Sequence, residues 1–325
     1  MITDVHQHLW SRSLIEALRA RIEPPRLREW TLELDYEPGY EVDPGDHDPD
    51  LRAVQAAADG LDLAIVSLSS PLGIELLAPD EAQELIAAYH EGALALPRPF
   101  HAWAAACLTE IDRPALARQL DRGFVGLQLP ATTLLDGQGY ARVGPLLEVL
   151  EERSKPLFVH PGPAGRRQPG HDRQRPRQIE LPQARRFPAW WPAIVDYVQQ
   201  MHAAWYAFRA FGRRRHPRLR VCFAMLAGLA PLHGERFAAR AGERSVVDDE
   251  VFLEVSSYGT RAVDAIVRVL GIDVLVNGSD RPYAEPVTPD LGPAALFALR
   301  SANPLRLLEL KEVPSGLAVP AGAQP

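Results

Sequence analysis

The sequence predicts a single-domain (β/α)8 TIM barrel, and three observations carry the prediction. Apolar strand-like runs alternate with helical segments from Thr3 to about Leu310. Those runs are almost continuously apolar, the pattern of a parallel sheet covered by helices. Eight strand–helix units fit into 325 residues, an ordinary length for such a barrel. A doubly wound open sheet is the alternative, but no glycine-rich phosphate loop follows the first strand.

Taken in order, Thr3 to His6 reads as a short buried strand. The segment from Leu9 to about Pro49 has few clean periodicities, and its Pro-, Gly- and Asp-rich part from Tyr36 to Asp46 reads as loop. Loops of that length are often functional. Asp50 to Asp59 reads as an alanine-rich helix, Leu63 to Leu68 as the second strand and Asp80 to Glu91 as an amphipathic helix. Phe100 to Leu108, Phe124 to Leu129 and Pro156 to His160 are the next strands, separated by helices over Arg113 to Asp121 and Gly144 to Arg153. A second long loop follows the fifth strand and leads into a helix from about Trp190 to Arg215. Leu219 to Met225, Val251 to Val255 and Val274 to Asn277 complete the strands, with helices from about Pro231 and over Arg261 to Leu270. Ala294 to Ser301 and Pro304 to Leu310 close the fold as two helices. Residues 1–312 form the barrel on this reading, and 313–325, rich in Pro, Gly and Ala, form a frayed tail.

Composition narrows the function. The chain is 46% hydrophobic and 24% charged, typical of a globular protein, with net charge −7 and no sustained basic face. Nucleic acid is therefore not expected as a partner. No apolar run reaches spanning length and no charged-then-apolar leader is present, so the expectation is a soluble, cytoplasmic protein without a membrane partner. Two lone cysteines, Cys107 and Cys222, suit a reducing compartment. Basic charge is almost all arginine, with Lys155 and Lys311 the two lysines.

The chemistry gathers around the first strand. Side chains two apart in a strand share a face, so His6 and His8 make half of a metal site. His160 ends the fifth strand and Asp280 follows the eighth. Barrel sites lie at the C-terminal strand ends, so these four residues open onto one mouth. Three neutral imidazoles and a carboxylate suit Zn2+, with Mn2+ or Fe2+ as alternatives. Water bound to zinc has a pKa near ~7, which would give a metal-bound hydroxide, and Asp280 would also accept the water proton.

Several motifs in order carry a family resemblance: Asp4-Val5-His6-Gln7-His8, Gly123 to Pro130, Pro156 to Gly162, Asn277-Gly278-Ser279-Asp280-Arg281-Pro282 and Asn303 to Leu307. Over most of its length the chain resembles the amidohydrolase superfamily, and within it the branch that includes aminocarboxymuconate-semialdehyde decarboxylase and related aromatic-acid decarboxylases and hydrolases. The resemblance implies His6, His8, His160 and Asp280 as metal ligands. It also implies one metal ion, because the fourth strand ends Gln128-Leu129-Pro130 without the lysine of binuclear relatives. Homodimers are common in the family.

The pattern breaks at the sixth strand. Met225 stands where the family carries a histidine that polarises substrate or shuttles a proton. A thioether does neither, and losing a general acid–base group costs about 10²–10⁴ in rate. Three readings follow. His233, His202 or His171 replaces it; Asp280 and the metal hydroxide suffice, which favours hydrolysis; or the barrel binds metal without turnover. The expected function is hydrolysis of a small carboxylated or cyclic substrate. Non-oxidative decarboxylation of an unsaturated or aromatic acid is the alternative, and a silent metal-binding barrel is the third.

Other residues fall near the expected mouth. Trp10 and Met225 are expected to line the pocket. The loop after the fifth strand carries Arg166, Arg167, Arg173, Arg175, Arg177, Arg185 and Arg186, whose forks match carboxylates, and Trp191 follows as a flat wall. The bland alternatives are a solvated loop and rim packing. Glu254 and Tyr258 at the seventh strand suit structural hydrogen bonding. Asp4 shares the expected face of His6 and suits a bond to a ligand ring. His47, His90, His101 and His216 have no ligand-like context.

Overall fold

Hydrogen bonds between successive strand ends decide whether alternating strands and helices make a barrel or an open sheet. In the computed structural model, which describes residues 1–35, 37–164, 188–242 and 247–310, they close. Strand β1 (Thr3–Gln7) is followed by α1 (Arg12–Ala20) and a small antiparallel sheet of β2 (Arg26–Arg28), β3 (Thr31–Glu33) and β4 (Tyr40–Glu41). Then come α2 (Pro49–Ala58), β5 (Leu63–Val66), α3 (Pro79–Leu94), β6 (Phe100–Ala102) and α4 (Arg113–Asp121). Next are β7 (Leu127–Pro130), α5 (Gly137–Glu152) and β8 (Leu157–His160). A helical run from Pro192 to Arg215 has α6 (Tyr197–Ala207) at its centre. It is followed by β9 (Val221–Phe223), α7 (Gly234–Ala241), β10 (Val251–Glu254), α8 (Thr260–Leu270) and β11 (Leu275–Val276).

One parallel sheet is β1-β5-β6 and the other is β7-β8-β9-β10-β11. Phe158 of β8 sits in register between Gln128 and Cys222. At one seam Ala104 bridges Leu127, its N–H donating to Gly126 at 2.8 Å. At the other, Gln7 bridges Arg281, and the Val5 N–H donates to the Asn277 carbonyl at 2.9 Å. The eight parallel strands among the described residues thus form a closed (β/α)8 barrel, as expected.

Burial follows from composition. Leu63–Val66, Leu127–Pro130, Leu157–His160 and Val251–Glu254 are buried at every position. Trp103 crosses the interior, stacked on Phe158 and donating its indole N–H to the Val5 carbonyl at 2.9 Å. Gly126 has to be glycine here, because a Cβ would overlap the Pro156 carbonyl and the Trp103 ring.

Three elements differ from expectation. The segment after β1, where the sequence shows few clean periodicities, carries a helix and two strands of the small sheet before the stretch 36–46. Ser11 caps α1, which buries Leu14, Ile15 and Leu18, and Arg26 pairs with Glu33 at 2.6 Å across the small sheet. Helix α5 starts at Gly137, seven residues earlier than Gly144, because Asp136 accepts from the Gln138 and Gly139 N–H groups. The last helices form one continuous run, Pro293 to Leu308, through a wider turn at Ala298–Ala302. No described helix is long and apolar enough to cross a membrane. The tail expected at 313–325 lies outside the described residues.

Candidate metal centre

The ends of β1, β8 and β11 converge, and His6, His8, His160 and Asp280 each bring a donor atom within 4.8 Å of the others. The hydrogen bonds around them fix which atoms face inward. His6 Nδ1 lies 3.1 Å from Glu254 Oε2, His8 Nδ1 3.0 Å from the Ser67 carbonyl, and His160 Nδ1 2.8 Å from the Pro161 carbonyl. Each neutral ring therefore carries its hydrogen on Nδ1 and turns a bare Nε2 toward the centre. The Nε2 atoms of His6 and His8 are 3.1 Å apart, and two lone pairs at that distance repel unless a cation lies between them. Asp280 adds negative charge, its Oδ1 3.4 Å from His6 Nε2 and 3.1 Å from His8 Nε2.

Electrostatics point the same way. Burial opposes a charge on His6, yet Asp280 and then Glu254 push its imidazole above the usual range. Burial holds His8 and His160 below theirs. Burial also opposes the Asp280 charge, but His6, His8 and His160 hold that carboxyl below the usual carboxylate range. A buried cluster that attracts positive charge to His6 while keeping His8 and His160 neutral fits a divalent ion.

The support around the cluster is built in. Glu254 is fully buried and also accepts from the Met225 N–H at 3.2 Å and the Ser256 hydroxyl at 2.8 Å. The Asp280 N–H donates to the His6 carbonyl at 2.9 Å, which ties the eighth strand end to the first. Asp4 does not reach a ligand ring. A register shift between Asp4 and Gln7 breaks strict alternation, and Asp4 accepts instead from the His6 and Ser279 N–H groups and the Gln7 amide.

The cluster lines a cavity of about 370 Å³ with apolar walls that include Leu34, Leu72, Ile194, Val198 and Met225. Glu37, Tyr40, Tyr197, Tyr258 and Tyr283 add polar groups. Met225 is thus where the sequence places it, at φ +45° and heading five left-handed residues that run to Leu229. Such backbone costs roughly 1–2 kcal/mol per residue outside glycine, and strain of this kind concentrates at functional sites.

Other expected site residues fall elsewhere. Trp10 is not in the wall: it is buried behind Ser69, stacked on His47 with ring centres 4.5 Å apart. Trp191 precedes the wall, which Ala193, Ile194 and Tyr197 form two to six residues later. His233 is exposed, its ring centre lies 5.1 Å from that of His202, and neither residue is in the cavity lining. Arg166, the other loop arginines and His171 lie outside the described residues. Glu37 and Tyr40 escaped the sequence reading because they sit in the excursion after β1, and Tyr197 because it opens a long helix. Buried His47 and His90 accept backbone N–H groups from Trp10 and Ala105, ordinary structural roles.

No protein-family model matches the chain, and no curated protein does. Solved structures do match. IDCase of Metarhizium anisopliae aligns with a TM-score of 0.73 at 17% identity, covering 95% of this chain and 97% of that one. The 5-carboxyvanillate decarboxylase LigW of Sphingomonas paucimobilis aligns at 0.69 and 16%, covering 95% and 99%. A 5-carboxyvanillate decarboxylase of Novosphingobium aromaticivorans, complexed with manganese and a nitrobenzoic acid, aligns at 0.65 and 16%, covering 95% and 96%. At this identity the likeness is one of fold: the chain shares the barrel fold of these decarboxylases.

Proposed function

We propose that the protein is a metal-dependent decarboxylase of small unsaturated or aromatic carboxylic acids. The observation that supports this reading is the cluster of three imidazoles and one carboxylate opening onto a mainly apolar cavity. Among the described residues, that cavity has no arginine or lysine in its lining. A divalent cation bound there would supply the positive charge that anchors a substrate carboxylate and draws electron density from it. His6, His8 and His160 would hold it through Nε2 and Asp280 through a carboxylate oxygen, while Glu254, Ser67 and Pro161 keep the rings aimed. Three nitrogens with one oxygen suit zinc, manganese or iron, and the manganese of the Novosphingobium structure favours manganese.

The walls do the rest of the work assigned to them. Leu34, Leu72, Ile194 and Val198 keep water from the bound acid, and a localised carboxylate charge loses hydration there. That favours release of neutral carbon dioxide over attack by water, so decarboxylation takes precedence over the hydrolysis expected from sequence. Addition of water is the second reading, supported by a solved 4-oxalomesaconate hydratase of the same fold.

The test is metal content and carbon dioxide release by full-length protein. The panel is 2,6-dihydroxybenzoate and 5-carboxyvanillate, substrates named for two neighbours. The expected result is close to one equivalent of metal and carbon dioxide stoichiometric with product, both lost in His6→Ala. Product that has gained water without carbon dioxide moves the assignment to a hydratase or hydrolase. Metal-replete protein without turnover across the panel leaves a binding barrel.

A further inference from the structure

We infer that Glu37, paired with Tyr197, is the proton donor that takes over from the histidine missing at Met225. The inference rests on the decarboxylase reading, because exchanging a carboxylate for hydrogen requires a proton at the carbon that bears it.

Glu37 reaches the cavity from the ordered excursion after β1, and Tyr197 reaches it from the start of α6. The Glu37 carboxyl is held at both oxygens: the Ala164 N–H donates to Oε1 at 2.8 Å and the Tyr197 hydroxyl to Oε2 at 2.6 Å. The next residue, Val198, packs under the left-handed turn that Met225 begins; a Cβ on Gly228 would lie 2.6 Å from the Val198 carbonyl. The pair lines the same cavity as Met225, the residue whose usual function it would supply. Among the described residues, the pair's side-chain hydrogen bonds run to the Ala164 N–H and between its two members rather than to the metal-side histidines. The charged and titratable groups facing Glu37 are Tyr197, Tyr40 and Asp196. Burial pushes the Glu37 carboxyl up, its two hydrogen bonds pull it back, and Asp196 adds to the rise. Burial thus favours the acid form before transfer, and one N–H and one O–H donor receive the carboxylate formed after it.

The step balances. The Glu37 O–H bond breaks as a C–H bond forms at the carbon bearing the carboxylate. The bond from that carbon to the carboxylate then breaks, its electron pair returns to the ring or double bond, and carbon dioxide leaves. The Glu37 carboxylate regains a proton from solvent at the cavity mouth.

The experiment uses the full chain loaded with Mn2+ and 2,6-dihydroxybenzoate. It follows carbon dioxide release and, in deuterium oxide, the reverse proton step as deuterium uptake at the ring carbon of resorcinol. Glu37→Gln is expected to lower both by about 10²–10⁴ with metal content and nitrobenzoate binding unchanged, and Met225→His placed in that variant is expected to restore both. Tyr197→Phe removes one donor to the carboxylate, so its alkaline limb of kcat is expected to move to higher pH. It serves as the second variant if Glu37→Gln does not fold. Full turnover and exchange in Glu37→Gln, or an unmoved limb in Tyr197→Phe, overturns the assignment of Glu37 alone. Metal-replete wild-type protein with neither turnover nor exchange removes the decarboxylase reading and this inference with it.

Discussion

Glu254 Oε2 accepts from His6 Nδ1 at 3.1 Å and from the Met225 backbone N–H at 3.2 Å. One buried carboxylate thus joins the metal-side histidine to the end of the sixth barrel strand. Its other oxygen accepts from the Ser256 N–H, which fixes the carboxylate plane and so the tilt of the His6 ring.

Glu254→Gln tests that joint. The amide keeps the shape but turns one acceptor into a donor, which now faces a partner that itself donates. Replacing a group that orients a ligand histidine typically costs 10–100-fold in metal affinity. We expect about that loss in a chelator competition, with the fold retained by circular dichroism. Unchanged affinity would mean that His6 is aimed by other contacts.

Met225→His tests the sixth strand. The backbone bond from Met225 to Glu254 does not involve the side chain, and histidine tolerates a positive φ better than most residues. The expected outcome is unchanged metal content and a pH–rate profile that gains a limb near ~6.5, the ordinary imidazole value. A loss of activity with no new limb would make Met225 a wall that the substrate needs.

How far the sequence reached follows from where each residue sits. His160 ends an apolar run, Asp280 follows the short apolar run Val274 to Val276, and His6 and His8 are two apart on the first strand, so their positions survive any uncertainty in helix boundaries. The excursion after β1 was illegible for the opposite reason. Its strands are two to three residues long, too short for a period of two to register, and its order comes from cross-strand pairs such as Arg26 with Glu33. Glu37 and Tyr40 were hidden with it. Asp4 was misplaced because the alternation assumed for β1 breaks at a register shift. His233 was plausible only in one dimension; the left-handed turn from Met225 to Leu229 carries the chain to where His233 meets His202 on the outside.

Glu75→Gln is predicted to change stability with pH. Glu75 is fully buried, and burial pushes its carboxyl up to about 7 from 4.5, against a hydrogen bond from Ser70. Because the folded-state value is raised, its contribution is intact below the unfolded value and is lost as pH rises through the folded one. Below about pH 4.5 both states hold the proton; from there to about 7 the unfolded chain ionises while the folded one resists. That window corresponds to about 3 kcal/mol. Glutamine never ionises, so urea midpoints of Glu75→Gln and wild type should agree near pH 4.5 and separate toward pH 8, with the variant the more stable. Parallel curves would show that Glu75 ionises without cost where it is.

Gly278→Ala extends the argument from the Glu254 carboxylate to the strand that carries Asp280. A Cβ on Gly278 would overlap Cγ, Cδ and Oε1 of Glu254. Glu254 cannot swing away, since it is fully buried and holds His6, Met225 and Ser256 together. Overpacking of this kind costs about 1–3 kcal/mol, and part of that displacement should pass through Glu254 to His6 and weaken metal binding about 10-fold or more. The measurements are a urea midpoint and a metal titration on the same protein. Gly144→Ala is the control: it lies within α5 with open space around its would-be Cβ, so alanine there should stabilise by about 0.8–1 kcal/mol and leave the metal untouched. If Gly278→Ala lowers the midpoint while its metal affinity stays that of wild type, the crowding is relieved away from His6. The Glu254 carboxylate is then a prop for β10 rather than the part that aims the ligand.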